Sequence, residues 1–448
     1  MSATNDTTGG RDAALAAKSD AVCRMGSLML SAGTGSYRVK AAMGRTAAGL
    51  GIEQLEAQVS LNEIVATTRA DGTFRTQVLE VPVPVVNADR IGELMRVSLR
   101  AESGSTPAEL QSELDAIETR RPLYPLPVVV AGAALACAAF AFLNNGRWQE
   151  CVAAGLGAGL GKLVQLTLRR FRLNQLAIVA LAAAMACLSY MLFAGLLQWL
   201  PGGVSPAHEA AFTSAMLFLV PGFPLLTAAL DLARFDFTSG VSRLLYSAMI
   251  TLAAALGGWV VAWGFGLTLG EIEPTALPAW LLLGLRLGAS FAGVFGFAVT
   301  FNTPLRVASA AAVIGTVANL GRLAAVDAGW NTLLCAAAAT TVVGLLAGWA
   351  SQRILAPRII LSVPAVLIMV PGASTYRALV AMINKDALNA LTNGMTAVGI
   401  VVSLAAGLAV ARMITDPAWI SANPAWTRMP RTRAQRELRR SGSRRPPE

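Results

Sequence analysis

Leu217-Phe218-Leu219-Val220-Pro221-Gly222 and Leu367-Ile368-Met369-Val370-Pro371-Gly372 are two copies of one pattern, an apolar run that ends in Val-Pro-Gly. Proline lacks an N–H and clashes with the preceding turn, while glycine lets the backbone leave helical geometry, so each copy is expected to interrupt its helix. The flanking stretches, Ala210 to Leu230 and Ile359 to Ile383, are apolar over the length of a membrane span. A break in such a span survives only where protein or a water-filled cavity covers it. Both prolines fall roughly 12 residues into their spans, ~18 Å at about 1.5 Å per residue, near the centre of a hydrocarbon core about 30 Å thick.

A second echo joins Asn144 and Gly157 to Asn302 and Gly315, each asparagine just before the second helix of its half. Outward from these anchors, further apolar segments run from Leu126 to Leu143, Trp148 to Leu168, Asn174 to Leu200, Ser242 to Gly270, Ala279 to Thr300, Leu305 to Val326, Trp330 to Ala350 and Leu388 to Ile414. The sequence predicts an α-helical polytopic membrane protein of about ten transmembrane helices, arranged as a 5+5 repeat over 122-270 and 271-414. Because five is odd, the second copy enters from the opposite side, giving an inverted repeat with a pseudo-two-fold axis in the membrane plane.

Composition agrees. The chain is 55% hydrophobic and 14% charged, against about 25% charged in soluble proteins. Met1 to Asp20 is polar and Ala-rich, without the basic stretch and apolar core of a signal peptide, which predicts that the amino terminus stays in the cytoplasm. With that end inside, cytoplasmic loops hold Arg169, Arg170, Arg172, Arg234, Arg243, Arg306, Arg353 and Arg358, as positive-inside asymmetry requires. The expected location is the bacterial inner membrane, multi-pass, with both termini cytoplasmic.

Residues 1-11 read as a disordered start and 12-121 as a small cytoplasmic α+β domain. Two helices fit Asp12 to Leu50, broken at Gly33-Thr34-Gly35. Two Val- and Thr-rich strands, Glu56 to Thr68 and Phe74 to Val83, flank an Asp71-Gly72 hairpin turn. Asn87 caps one further helix and Thr106-Pro107 opens another. Gly33-Thr34-Gly35-Ser36 resembles a phosphate loop superficially, but it joins two helices instead of following a strand. The carboxylates Glu53, Glu56, Glu63, Asp71 and Asp89 read as a solvated face. The Arg-dense tail, 415-448, reads as disordered and close to anionic lipid, not as a nucleic-acid arm. Four of the five cysteines lie in membrane segments, no CxxC occurs, and His208 is the sole histidine, so no metal site and no cofactor are expected.

The candidate solute site is built on the breaks: Pro221, Gly222, Phe223 and Thr227 in one, Pro371, Gly372, Ala373, Ser374 and Thr375 in the other. Half-helices starting at Phe223 and Ala373 would aim free N–H groups at the midplane, which suits a carboxylate, with hydroxyls nearby. Asp231 and Asp236, in a charged knot with Arg234 and Arg243, are candidates for gating or coupling, with an interfacial ion cluster as the alternative. Glu150 is a further proton-coupling candidate. Lys162 reads as snorkelling. Arg286, also a coupling or gating candidate, lies deeper and calls for pairing with a buried carboxylate or a ligand. Gly155, Gly157, Gly159 and Gly161 read as helix packing.

Leu219-Val220-Pro221-Gly222, followed by Asp231-Leu232 and Thr238-Ser239-Gly240, resembles the signature of the threonine/serine exporter family. So do Phe301-Asn302-Thr303-Pro304 and Val370-Pro371-Gly372 before Tyr376-Arg377, while Gly26 to Gly51 is similar to that family's cytoplasmic domain. The sequence departs from the pattern at Phe223-Pro224. The resemblance implies a secondary transporter, not an enzyme, exporting threonine and serine at the expense of the proton motive force, in a fused form whose two halves occur as separate subunits in some bacteria. Its partners would be the amino acid, protons and the lipid bilayer, with room for a homo-oligomer. Two other readings remain open: a channel for small polar solutes, and a membrane-anchored hydrolase using the amino-terminal domain.

Overall fold

The computed structural model describes residues 3–82, 84–200, 209–267, 277–416 and 419. The basic tail and the loops around Gly202 and Glu271 lie outside the described residues. The chain forms two compact units, one of Met1–Arg121 with Asp231–Ser242 and Asp416–Glu448, the other of Pro122–Leu230 with Arg243–Thr415.

In the first unit, α1 (Ala3–Ser31) and α2 (Ser36–Gly49) are joined through Gly33, whose φ of +93° suits glycine. The helix α1 thus reaches into the stretch 1-11. A three-stranded antiparallel sheet follows, β1 (Gln54–Val59), β2 (Glu63–Ala70) and β3 (Thr73–Glu80), in the order β1-β2-β3. Ala70 pairs with Thr73 across Asp71 and Gly72, both left-handed, as a two-residue hairpin turn demands. The expected strand Glu56 to Thr68 is instead two strands. Ser60 N–H turns back onto Glu63 O at 2.9 Å, because Ser60-Leu61-Asn62 supplies a polar turn inside the Val- and Thr-rich run. Ile64, Ala66, Thr68 and Ala70 alternate inward on β2, and this face packs on α1. Asn87 caps α3 (Ala88–Ala101) by accepting from Arg90 N–H at 3.1 Å, and Thr106 and Glu109 form a reciprocal capping box on α4 (Pro107–Glu118).

The second unit contains α5 (Leu126–Leu143), α6 (Trp148–Leu168), α7 (Gln175–Leu197), α8 (Glu209–Ala215), α9 (Gly222–Leu232, its last two residues in the first unit), α10 (Phe237–Gly264, from Arg243), α11 (Ala279–Thr300), α12 (Leu305–Asp327), α13 (Thr332–Ile354), α14 (Arg358–Leu367), α15 (Gly372–Ile383) and α16 (Ala387–Thr415). Among the described residues, 8 helices are long and apolar enough to cross a membrane, and the pair α14 and α15, bent by 51°, makes up to 9. The span expected from Ala210 to Leu230 is not one helix. It is α8, a 3-10 turn over Leu217–Leu219, and α9, because Pro221 and Gly222 stop the helix.

Glycines set the closest helix contacts. A Cβ on Gly296 would lie 2.5 Å from Gly132 O, joining α11 to α5. One on Gly257 would lie 2.2 Å from Ala180 O, and one on Gly407 the same distance from Ala337 O. In α6, Gly155 and Gly159 face α5 while Gly157 and Gly161 face α7, so the glycine run packs on two sides.

Candidate functional site

The two Val-Pro-Gly segments are duplicated bond by bond. Gly222 N–H donates to Val220 O at 2.8 Å and Gly372 N–H to Val370 O at 2.9 Å; Val220 N–H donates to Leu217 O at 3.0 Å and Val370 N–H to Leu367 O at 3.3 Å. Each proline therefore sits at the apex of a tight three-residue turn. The half-helices begin at Gly222 and Gly372, one residue earlier than expected. The first i to i−4 bonds come from Leu225 onto Pro221 O at 2.9 Å and from Thr375 onto Pro371 O at 3.1 Å. Among the described residues, the N–H groups of Phe223, Ala373 and Ser374 have no protein acceptor. Pro224 has no N–H at all, so the first break offers one donor fewer than the second.

The breaks come together. A Cβ on Gly222 would lie 2.0 Å from Leu367 Cδ2, at the end of α14, and one on Gly372 would lie 2.6 Å from the Phe140 ring. Thr213 on α8 donates its hydroxyl to Gly372 O at 3.3 Å. Each break is thus met by the helix that leads into the other.

The flanking side chains divide. Phe223 is buried and packs edge-on against Phe301, ring centroids 5.4 Å apart, so its side chain is a wedge rather than a lining group. Thr227 donates to Phe223 O and Pro224 O at 2.9 and 3.0 Å, and Thr375 to Pro371 O at 2.7 Å. These are back-bonds onto carbonyls of the same half-helix, so neither hydroxyl proton is turned towards the gap between the breaks. The buried Arg243 donates to Thr227 Oγ1 at 3.4 Å. Ala373 and Ser374 are half-buried on the first turn of α15.

Glu150 is buried, and its Oε2 accepts from Arg147 N–H at 2.8 Å, closing the start of α6. Tyr190, Phe212 and Tyr376, all fully buried, form a ring chain with centroids 6.1 and 5.8 Å apart. Arg286 pairs with Asp327 at the end of α12. That carboxylate is 52% exposed, so the partner expected to be buried lies at the helix end.

Asp231 and Asp236 belong to the first unit. Ser36, the first residue of α2, donates its N–H to Asp231 Oδ2 at 3.2 Å and its hydroxyl to Asp236 Oδ2 at 2.9 Å. Lys40 Nζ lies 2.6 Å from Asp236, Ser239 donates to Asp231 at 2.9 Å, and the Arg234 guanidinium stacks on Tyr37 at 3.9 Å. The segment that looked like a phosphate loop therefore does bind an anion at a helix N-terminus, and the anion is a carboxylate of this same chain.

Two side-chain pairs escaped the sequence reading. On α6, Lys162 Nζ donates to Gln165 Oε1 at 2.9 Å and lies 5.7 Å from the Phe218 ring centroid. On α12, Arg322 Nε donates to Asn319 Oδ1 at 3.0 Å, and Asn319 donates to Ser290 Oγ at 2.9 Å. Alignment on the capping residues Asn174 and Asn331 would have exposed them, because that spacing also places Lys162 on Asn319 and Gln165 on Arg322. No group of three or more metal-ligating side chains occurs among the described residues.

The chain matches the family model described as "Putative threonine/serine exporter" over residues 20–266 and that of "Threonine/Serine exporter, ThrE" over 287–414. It is 25% identical to the "Threonine/serine exporter" of Corynebacterium glutamicum over 426 residues, 87% of this chain and 81% of the relative. Identity is 23% to the "Probable threonine/serine exporter" of Mycobacterium tuberculosis, over 89% of this chain and 76% of that one. It is 29% to the "Probable succinate transporter subunit YjjP" of Escherichia coli, over 52% of this chain and 88% of the relative. No solved structure matches.

Proposed function

The chain belongs to the threonine/serine exporter family, a family of membrane transporters and not of enzymes, and from that premise we propose that it carries threonine and serine out of the cytoplasm, driven by the proton motive force. The observation that carries this reading is the pair of crossed breaks, whose Phe223, Ala373 and Ser374 N–H groups lack an acceptor. A solute carboxylate supplies one, and the half-helix dipoles favour it. Because Pro224 takes a donor from the first break, the second half-helix, α15, makes the stronger carboxylate contact.

A 5+5 inverted repeat accounts for the pairing. Its support is the recurrence of local geometry at two spacings, 157 residues for the capping Asn174 and Asn331 and the left-handed Asn145 and Asn302, and 150 for the left-handed Phe235 and Lys385, with the contacts Gly257 to Ala180 and Gly407 to Ala337 joining the two stretches. On this reading α8 with α9, and α14 with α15, are the fourth span of each half. Both termini are cytoplasmic and the membrane is the bacterial inner membrane. Rocking of one half against the other opens the breaks to each side in turn.

Protons enter through Glu150, buried beside Tyr190 at the start of α6. Asp231 and Asp236 act as a latch on the turn between α9 and α10, gating rather than relaying. The relative named as a succinate transporter subunit makes a dicarboxylate the second solute class to test.

Cells loaded with labelled threonine decide the matter. Efflux against a gradient that an uncoupler abolishes supports the exporter. Efflux that only runs downhill and ignores the uncoupler identifies a channel and overturns it.

A further inference from the structure

We propose that Lys162 and Arg322 are two receiving sites for the solute's carboxylate, one on each side of the membrane midplane. The inference rests on the inverted-repeat transporter reading above. A charged side chain inside a span is costly and persists where it meets a partner or lines a solute path. Both cations lie inside helices that qualify as spans. Each has its side-chain hydrogen bond to a neutral amide, Gln165 or Asn319, and among the described residues neither is paired with Asp or Glu. Asp327, the nearby acid, is taken by Arg286.

Snorkelling does not account for the geometry. Lys162 reaches a buried amide, since Gln165 is 5% exposed, and lies over Phe218, in the turn that leads into the first break. Arg322 is bonded to Asn319, which is fully buried and itself fixed by Ser290 on α11. The amides thus hold both cations towards protein while leaving their charge unneutralised. A carboxylate is the complementary ligand, as a point-charge contact at Lys162 and a forked one at Arg322.

Their placement is also paired. Cation and amide stand three residues apart in both helices, in opposite order, at positions that the repeat superimposes. Each cation lies beyond the midpoint of its helix towards the carboxyl end, about 6 Å for Lys162 and about 9 Å for Arg322 at ~1.5 Å per residue. In an inverted repeat α6 and α12 run in opposite directions. Lys162 therefore serves the cytoplasmic approach and Arg322 the periplasmic one, with the breaks between them.

The test uses the full chain in proteoliposomes of both orientations, with threonine counterflow measured from each face. Lys162→Met is expected to raise the KM for threonine at least tenfold from the cytoplasmic face and leave the other face near wild type. Arg322→Met is expected to do the reverse. Lys162→Arg and Arg322→Lys, which keep the charge, are expected to recover most of the loss. Lys162→Gln, which keeps a hydrogen-bonding group, stands in should the Met variant fail to insert, with the same result expected. Equal KM shifts at both faces, no shift, or charge-keeping variants no better than neutral ones would overturn the proposal while wild-type export stands. Should the wild type carry no threonine or serine, the exporter reading fails separately. The same variants are then read with succinate, where a one-sided KM rise keeps the two sites and its absence removes them.

Discussion

Gly222 has no room for a side chain, because its Cβ would overlap Leu367, a residue five positions before the second break's Gly372. Overpacking of this kind typically costs about 1–3 kcal/mol, more when several atoms must be placed. Gly222→Leu is expected to abolish export in protein that still inserts, and Leu367→Ala to restore part of it by opening the space. A double variant no better than Gly222→Leu alone, in efflux assays on equal amounts of membrane protein, would show that the contact is not what fails. A second residue carries a pH dependence. Burial pushes the Cys23 thiol up from an ordinary value of 9.0 to about 11. The folded chain therefore holds the proton that the unfolded chain releases between those values, so stability is full below pH 9 and falls as pH rises towards 11, by about 3 kcal/mol. With the other cysteines replaced by Ala, Cys23 should resist maleimide at neutral pH until denaturant is added. Fast labelling of the native chain would contradict this.

At the scale of elements, the turn from α9 to α10 is held by the start of α2. A hydrogen-bonded, largely buried ion pair such as Lys40 with Asp236 is costly to break from one side, roughly 1–3 kcal/mol, since the other charge stays behind. Lys40→Met and Asp236→Asn should each slow export, and the double variant should be no slower than the worse single one. Additive losses would mean that the two residues act separately. Among the described residues the corresponding turn in the second half has no such clasp; Asp386 there caps α16, and hydrogen bonds from Asn389 hold its carboxyl below the usual range. Most of these elements were legible in the sequence. The bounds of α5, α6 and α11 follow from apolar length alone, because the backbone inside a bilayer must close its own hydrogen bonds. The breaks were legible because proline and glycine act locally. What was not legible is contact at long range: Ser36 with Asp231, or Gly222 with Leu367, joins residues whose proximity no local propensity encodes. The third strand was missed for another reason, since Ser60-Leu61-Asn62 is a weak turn inside a strongly β-prone run.

Over the whole molecule, the spacing of capping asparagines, left-handed residues and glycine contacts predicts two halves of opposite sense. Single cysteines near Arg170 and Arg353 should then react only from the cytoplasm, and one near Asp327 only from the periplasm. Reaction of all three from one side would break the topology. The composition of the first compact unit carries a consequence of another kind. It gathers Met1–Arg121 with Asp231–Ser242 and Asp416–Glu448, and the first two stretches, which carry the clasp, are separated by more than a hundred residues of chain. A gene for this protein can therefore be divided in two at one place far more safely than at another. Separate polypeptides 1–270 and 271–448 leave that unit's clasp on a single chain, whereas 1–121 and 122–448 put its two sides on different molecules, at the mercy of their encounter. Co-expression of the first pair should restore export and the second should not, and equal rescue by both would show that the clasp forms readily between strangers.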